Sequence, residues 1–477
     1  MPEVKNFFVC CGLNSIGIGS GGGVGKVTAE WLMTGHINED IFSYDIKRFQ
    51  KFHSELGFIK KRITETLGDL YGMHWPFKQH KTSRNIKTLP HHDNLKSFGA
   101  CFGVSGGYER PMWFALDGEK AEYEYSYNYQ SWYPSAEYET NNTVKNVGLF
   151  DLTPFSKFEI KSDKAHQELQ KICTANIKNE SGKCVYTHML NSDGGIETDL
   201  TVVCVDKNHF RIISSAATRE RDKFHINKHL SKNIELKDIT DDLCVFGLFG
   251  PRSRDLLKTL SEDNFENDQF RFGFAKFISI EGVKIWTQRL SYVGELGFEL
   301  YVDVKDAKKI YELLIEKGKD FNLSNCGMHA MDIMRMESGF LHWGHDISPE
   351  ENQYQAGLAF TISYKKDTDF IGKQALEKIK QNKVKTRFSM FTLKESEPGK
   401  PLLLHDEPIY DGEKIIGRST SGNYSFNFKK NLVFGYINND LSNEELQSKN
   451  LFIEVEKQKY PISIQSKPLK RTDFKNL

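Results

Sequence analysis

Several stretches of this sequence bring together residue types that do chemistry. The first is CGLNSIGIGSGGGVGK, Cys11 to Lys26, with the spacing Gly17-x-Gly19-x-x-Gly22. That is the form of a turn through which backbone approaches a pyrophosphate. The apolar run Phe7-Phe8-Val9-Cys10 precedes it and a helical pattern ending in Ala29–Met33 follows. The segment therefore reads as strand, glycine turn and helix, with a helix N-terminus after Gly25 that favours an anion. The match is weak alone, because further glycines crowd the stretch and HINEDIFSYDIKRF makes a poor second strand. A glycine turn for tight strand–helix packing explains it equally well. A phosphate loop of the G-x-x-x-x-G-K-[ST] type is excluded by Ser20 and Val27.

Carboxylates supply the second set. GGIETDLTV carries Asp199, which either works as an acid–base group or caps the turn after Gly194-Gly195. SYVGELGFELY carries Glu295 and Glu299, which read without further information as exposed residues of a strand–turn–strand. Arg335 in IMRMESG has Asp332 and Glu337 within helical reach, and Phe360 reads as a core aromatic. His225/His229 and His342/His345 are spaced for one helix face, but no third ligand has convincing spacing. Solvated histidines and no metal are expected. No G-x-S-x-G elbow is present.

The elements that must position these groups change along the chain. After the opening segment, residues 36–135 are mixed and aromatic, with an exposed connection at AEYEYSYNYQSWYP. From about residue 144, short β-like runs (FSKFEIKS, DLTVVCVD, HFRIISSA, LCVFGLFG, KFISIEGVKIWTQRLSY) alternate with amphipathic helices such as DAKKIYELLIEKGKDF. Residues 388–477 are strand and turn, as in KIIGRSTSGNYSF, NLVFGYI and NLFIEVEKQKYPISI.

At 477 residues, roughly three domains are expected. Lys+Arg and Asp+Glu each number 64, so the chain has no basic footprint for nucleic acid or an anionic membrane. No apolar run reaches the roughly 20 residues of a membrane span, and MPEVKNFFVCCGLN does not read as a signal peptide. The eight scattered cysteines include no C-x-x-C pair, which points to reduced thiols in a cytoplasmic compartment, or the mitochondrial matrix in a eukaryote.

Together these motifs resemble the sarcosine and dimethylglycine dehydrogenase family. CGLNSIGIGSGGGVGKVTAEWLMTGH with DIFSYDIKRFQKF resembles the last segment of that family's flavin domain. GGYERPMWFA is similar to the signature of its central domain. GLFDLTPFSKFEI, YTHMLNSDGGIETDLTV, GLFGPRSR, RLSYVGELGFELY, MDIMRMESGFLHWG, YQAGLAFT, FIGKQAL and STSGNYS look like its aminomethyltransferase half, which it shares with the glycine-cleavage T-protein. The resemblance implies an α+β multidomain chain: residues 1–50 the end of an α/β FAD domain, 51–135 a central domain, 136–387 a T-protein-like folate domain, and 388–477 a β-barrel-like domain. A regulatory subunit of pyruvate dehydrogenase phosphatase shares this architecture and is the non-catalytic alternative; a stand-alone aminomethyltransferase-like protein is another.

The resemblance also implies roles. Gly12, Asn14, Ser15 and Gly17 would meet the flavin end of FAD, with the adenine half supplied by another, upstream polypeptide or segment. An uncovered apolar face beside residues 7–33 is then expected. Tetrahydrofolate would be held by Leu200, Thr201, Tyr292, Glu299, Leu300, Tyr301, Arg335 and Phe360. Glu299 would accept the paired N–H donors of the pterin edge, since a carboxylate is the natural bidentate acceptor. Asp199 would be catalytic. The T-protein has an acidic pair here, and Thr198 replaces its first member, which argues against T-protein chemistry proper. The expected reaction is oxidation of an N-methyl amine, with its one-carbon unit passed to tetrahydrofolate as 5,10-methylenetetrahydrofolate.

Overall fold

The computed structural model describes residues 4, 7–470 and 473–477. The opening segment departs from expectation. Phe7–Cys10 form no strand, and one helix, Gly17–Thr34, runs through the glycines expected to make a turn. Gly35 ends it in the left-handed conformation. A lone strand has no ladder partner to satisfy its backbone, whereas a helix bonds internally. Among its described residues none is buried, and Phe8, Val9, Ile18, Leu32 and Met33 stand exposed. A second helix, Leu56–Asp69, also buries nothing; Leu56, Ile59, Ile63 and Leu67 face outward along it.

The rest is built on strands. A hairpin, β1 (Ala100–Ser105) and β2 (Tyr108–Phe114), leads through the helix Tyr133–Lys145 into β3 (Val147–Asp151). Then follow β4 (Ser156–Lys161), β5 (Cys184–Leu190), β6 (Ile196–Asp206), β7 (His209–Ser214), β8 (Leu236–Asp238), β9 (Leu243–Phe249), β10 (Ala275–Ile280), β11 (Val283–Gln288), β12 (Gly297–Asp303) and β13 (Leu323–Cys326). They make two sheets, ordered β10-β11-β12-β9-β3-β13 and β5-β6-β7-β4-β8. The six C-terminal strands, β14 (Thr386–Leu393), β15 (Pro408–Asp411), β16 (Lys414–Ser425), β17 (Lys430–Asn438), β18 (Leu451–Val455) and β19 (Gln458–Gln465), close a barrel. Ile409, Val433, Ile453 and Ile464 are among those filling it.

The alternation of each strand sorts its side chains. On β6, Leu200, Val202 and Cys204 enter one core with Phe210 and Ile212 of β7. On β12, Phe298, Leu300 and Val302 enter another, against the helix Val304–Gly318. The opposite faces, with Val203, Val245, Trp286 and Tyr301, pack between the two sheets.

The hairpin joins this body rather than a separate unit: Tyr108 and Phe114 pack into the same core as Leu248 and Phe298. The Glu139 carboxylate accepts the backbone N–H groups of Phe114 and Gly327, each at 2.8 Å. Gly327 starts the helix Met328–Glu337, and a Cβ there would lie 2.2 Å from the Met112 backbone. Gly327→Ala must push the hairpin off this helix. A cost of about 1–3 kcal/mol is expected, typical of overpacking, read as a Tm lowered by several degrees in thermal unfolding.

Candidate functional site

The layer between the sheets is not filled at one end. Asp199 and Thr201 on β6, Arg211 on β7 and Glu299 on β12 all point into it and keep accessible surface, while their neighbours on the opposite faces are fully buried. The result is a recess with polar walls. The Tyr186 hydroxyl donates to Asp199 Oδ2 at 3.1 Å, and the Tyr301 hydroxyl donates to Glu299 Oε2 at 2.9 Å. Neither carboxylate has an ion pair among the described residues. Burial raises Asp199 to about 6, with the Tyr186 bond opposing, and Glu299 to about 7, with the Tyr301 bond opposing. Tyr186, whose pKa burial pushes well above the usual range, was not singled out in the sequence; its only signal is a position inside YTHMLNSDGGIETDL, paired across the ladder with Thr201.

The other expected folate residues fall into distinct places. Tyr292 borders the same recess, but its hydroxyl is committed to Leu341 O at 2.9 Å. Leu200 and Leu300 are corrected: both side chains lie on the far faces of their strands, in separate cores. Arg335 is buried, and its partners are Asp332 at 2.8 Å, Asp346, Phe340 O and Ser421, not Glu337. Four of its five N–H donors are engaged, and it ties its helix to the barrel. Glu337 accepts instead from Ser425 and Asn427. Phe360 is 79% exposed, which overturns the core reading. Glu295 is buried against Lys470 rather than exposed.

Of the histidines, His342 and His345 are exposed. His225 is buried, contrary to the solvated reading, and burial holds it well below its usual value. It lines a separate cavity of about 160 Å³ between residues 31–47 and the helix Arg219–His229. The basic side chains there are already engaged: Arg221 with Glu197, Lys47 with Asp45, and the His36 ring with Asp193. Among the described residues, the one grouping with metal-like proximity is Glu65, Asp69 and His80. Lys78 already pairs with Asp69, and Glu65 accepts from Lys81 and Thr82.

The expected flavin contacts do not form a pocket. Gly12 and Ser15 have φ of 79° and 66°, and Gly12, Asn14, Ser15 and Gly17 lie at the exposed start of the first helix. These residues alone do not enclose a flavin. The inter-sheet recess presents two carboxylates, neither with an ion pair among the described residues, in a partly desolvated layer.

The glycine-cleavage profile "GCVT N-terminal domain" matches residues 91–366, "FAD dependent oxidoreductase central domain" matches 34–88, and "Glycine cleavage T-protein C-terminal barrel domain" matches 387–470. The chain is 37% identical over 423 residues to 4-methylaminobutanoate oxidase (formaldehyde-forming) of Paenarthrobacter nicotinovorans, covering 88% of this chain and 51% of that one. It is 30% identical over 473 residues to mitochondrial dimethylglycine dehydrogenase of Rattus norvegicus, covering 98% and 54%. This chain belongs to the family of the glycine-cleavage T-protein. It spans about half the length of the curated relatives it matches. The crystal structure of aminomethyltransferase T from Bartonella henselae shares the fold, with TM-score 0.68 at 20% identity over 81% of this chain and 98% of that one. The two matched segments meet near residue 90, and the hairpin that follows packs into the same core as Leu248 and Phe298.

The buried carboxylate has a consequence for stability. Burial raises Glu299 above its unfolded value of 4.5, so the folded state favours the protonated form. The destabilisation is absent below pH 4.5 and complete above about 7. Glu299→Gln removes it. The variant should be more stable than the parent by about 1–3 kcal/mol in mildly alkaline buffer, with the gain vanishing on acidification. Paired thermal melts across this range check it.

Proposed function

We propose that this chain is the folate-binding part of an FAD-dependent N-methyl amine dehydrogenase, acting on sarcosine or dimethylglycine, that delivers the oxidised methyl carbon to tetrahydrofolate as 5,10-methylenetetrahydrofolate. The observation that carries the reading is the pair of carboxylates in one recess, neither with an ion pair among the described residues and each held by a tyrosine hydroxyl. Glu299 lies beside Cys184, and Asp199 is bonded to Tyr186, two residues further along the same face of β5. Two residues of strand advance about 7 Å. That step is comparable with the width of a fused two-ring heterocycle, so one carboxylate reaches the pterin edge while the other reaches its reacting nitrogens.

The roles follow from the chemistry. Glu299 accepts the paired pterin donors and fixes the ring's orientation. Asp199, as carboxylate, accepts the proton that a folate nitrogen sheds when its lone pair forms the new bond to an iminium carbon. Thr201 and Tyr301 complete the walls, Tyr292 closes the side next to Asp199, and Arg335 holds that side in place. When bound, FAD takes the hydride equivalent from the amine. Because Gly12, Asn14, Ser15 and Gly17 do not enclose it, the rest of the flavin site belongs to polypeptide beyond these residues. The 477-residue chain alone should therefore purify without stoichiometric flavin absorbance. The non-catalytic regulatory alternative has no need of either carboxylate.

Calorimetry with tetrahydrofolate tests the reading. Glu299→Gln swaps a double acceptor for a group that sets a donor against a donor, and affinity should fall about 10- to 150-fold. Asp199→Asn should bind with a smaller loss but capture the one-carbon unit poorly. Because Glu299 sits near 7 and the ligand favours its ionised form, binding at neutral pH should release protons, seen as a buffer-dependent enthalpy. Unchanged affinity in Glu299→Gln would place the pterin elsewhere.

A further inference from the structure

His188 lies on β5 two residues after Tyr186, on the same face, directly across the ladder from Asp199. Opposed residues in an antiparallel pair have Cβ atoms about 4.5–5.5 Å apart. Its side chain is 0% exposed, and its Nε2 is buried with no hydrogen-bond partner. A buried imidazole nitrogen left unpaired is costly, so its retention needs a reason.

The surrounding bonds fix which nitrogen carries the proton. The Thr361 hydroxyl donates to Leu358 O at 2.7 Å, so it has only lone pairs left to offer. The Gln353 amide nitrogen lies 2.9 Å from both Thr174 Oγ1 and Thr361 Oγ1 and 3.2 Å from His188 Nδ1, and the two shorter contacts take its two protons. His188 Nδ1, 3.1 Å from Thr361 Oγ1, is then the donor to it. Nε2 is left as a bare acceptor. Burial holds the ring neutral, at about 3. The titratable and charged groups around Asp199 are Tyr186 and His188 on β5 and Tyr292 opposite, with Asp332 and Arg335 behind Tyr292. None of these but His188 offers a neutral nitrogen acceptor.

We propose that His188 is a positioning residue for Asp199: its unprotonated Nε2 accepts the carboxyl proton of Asp199 through one bridging water, and so sets where that acid titrates. An acceptor that bonds only the protonated acid stabilises the neutral form. His188 thereby keeps Asp199 able to hold a taken proton until the leaving amine collects it. The inference rests on the role given to Asp199 above.

Infrared difference spectra across pH report the protonated carboxyl stretch of Asp199, assigned by its loss in Asp199→Asn. His188→Leu should move the midpoint down by about one unit, a roughly tenfold loss of proton affinity. His188→Gln retains an acceptor and should hold the midpoint near that of the parent. A folded His188→Leu with an unmoved midpoint overturns the proposal. Nitrogen-15 spectra of histidine-labelled parent protein give a second test that needs no variant: Nε2 of His188 should be unprotonated, and a protonated Nε2 overturns the proposal as well. Tetrahydrofolate calorimetry is run alongside. Absent folate binding with the infrared shift intact would remove the proposed function and leave the His188–Asp199 coupling standing.

Discussion

Two carboxylates, Asp199 and Glu299, are held between facing sheets by tyrosine hydroxyls, with no ion pair among the described residues. That arrangement is unfavourable for an empty fold, because desolvating a carboxylate without a counter-charge costs several kcal/mol. Much of the surrounding architecture works to keep it. The inter-sheet layer packs tightly through Val203, Val245, Trp286 and Phe249, then stops short where the carboxylates point. A protein selected only for stability would fill that end with apolar side chains. Here the fold keeps an open, polar recess.

The recess needs rigid walls, and buried polar bonds provide them. Arg335 grips Asp346 and Asp332 from one helix, while Thr420, Ser421 and the Tyr436 hydroxyl reach the Asp346 residue from the barrel. On the far side, Glu139 gathers the hairpin and the start of that helix onto one carboxylate. Lys470, near the chain's end, pairs with Glu295 in the turn before β12. Together these bonds tie the hairpin, the helix Met328–Glu337, the barrel and the turn before β12 into one body. The separate cores on the outer faces of β6 and β12 supply the apolar burial, so the layer between the sheets is free to be polar.

Much of this was legible along the chain. The strands of the folate-type body and of the barrel follow their alternating runs, since a period of two with apolar residues on one face has few other outcomes. The helix Val304–Gly318 follows from its stripe of Ala307, Ile310, Tyr311 and Leu314. The opening segment misled because glycine spacing is a local signal, and whether a glycine stretch turns or coils depends on what it packs against. Residues 7–10 form no strand, and the chain coiled through its glycines instead.

For the site, the sequence by itself determined the residue types and the face on which each stands. Asp199 with Thr201, and Glu299 with Tyr301, share faces because successive strand residues alternate, and the same rule sends Leu200 and Leu300 away from the recess. Tertiary structure decided everything that depends on the opposite wall. Which carboxylates are desolvated, that Tyr186 serves Asp199, that Arg335 pairs with Asp346, and that His188 keeps a bare nitrogen across from Asp199 all require two sheets and a barrel to meet. Burial and hydrogen-bond partners are properties of that meeting, and no single strand carries them.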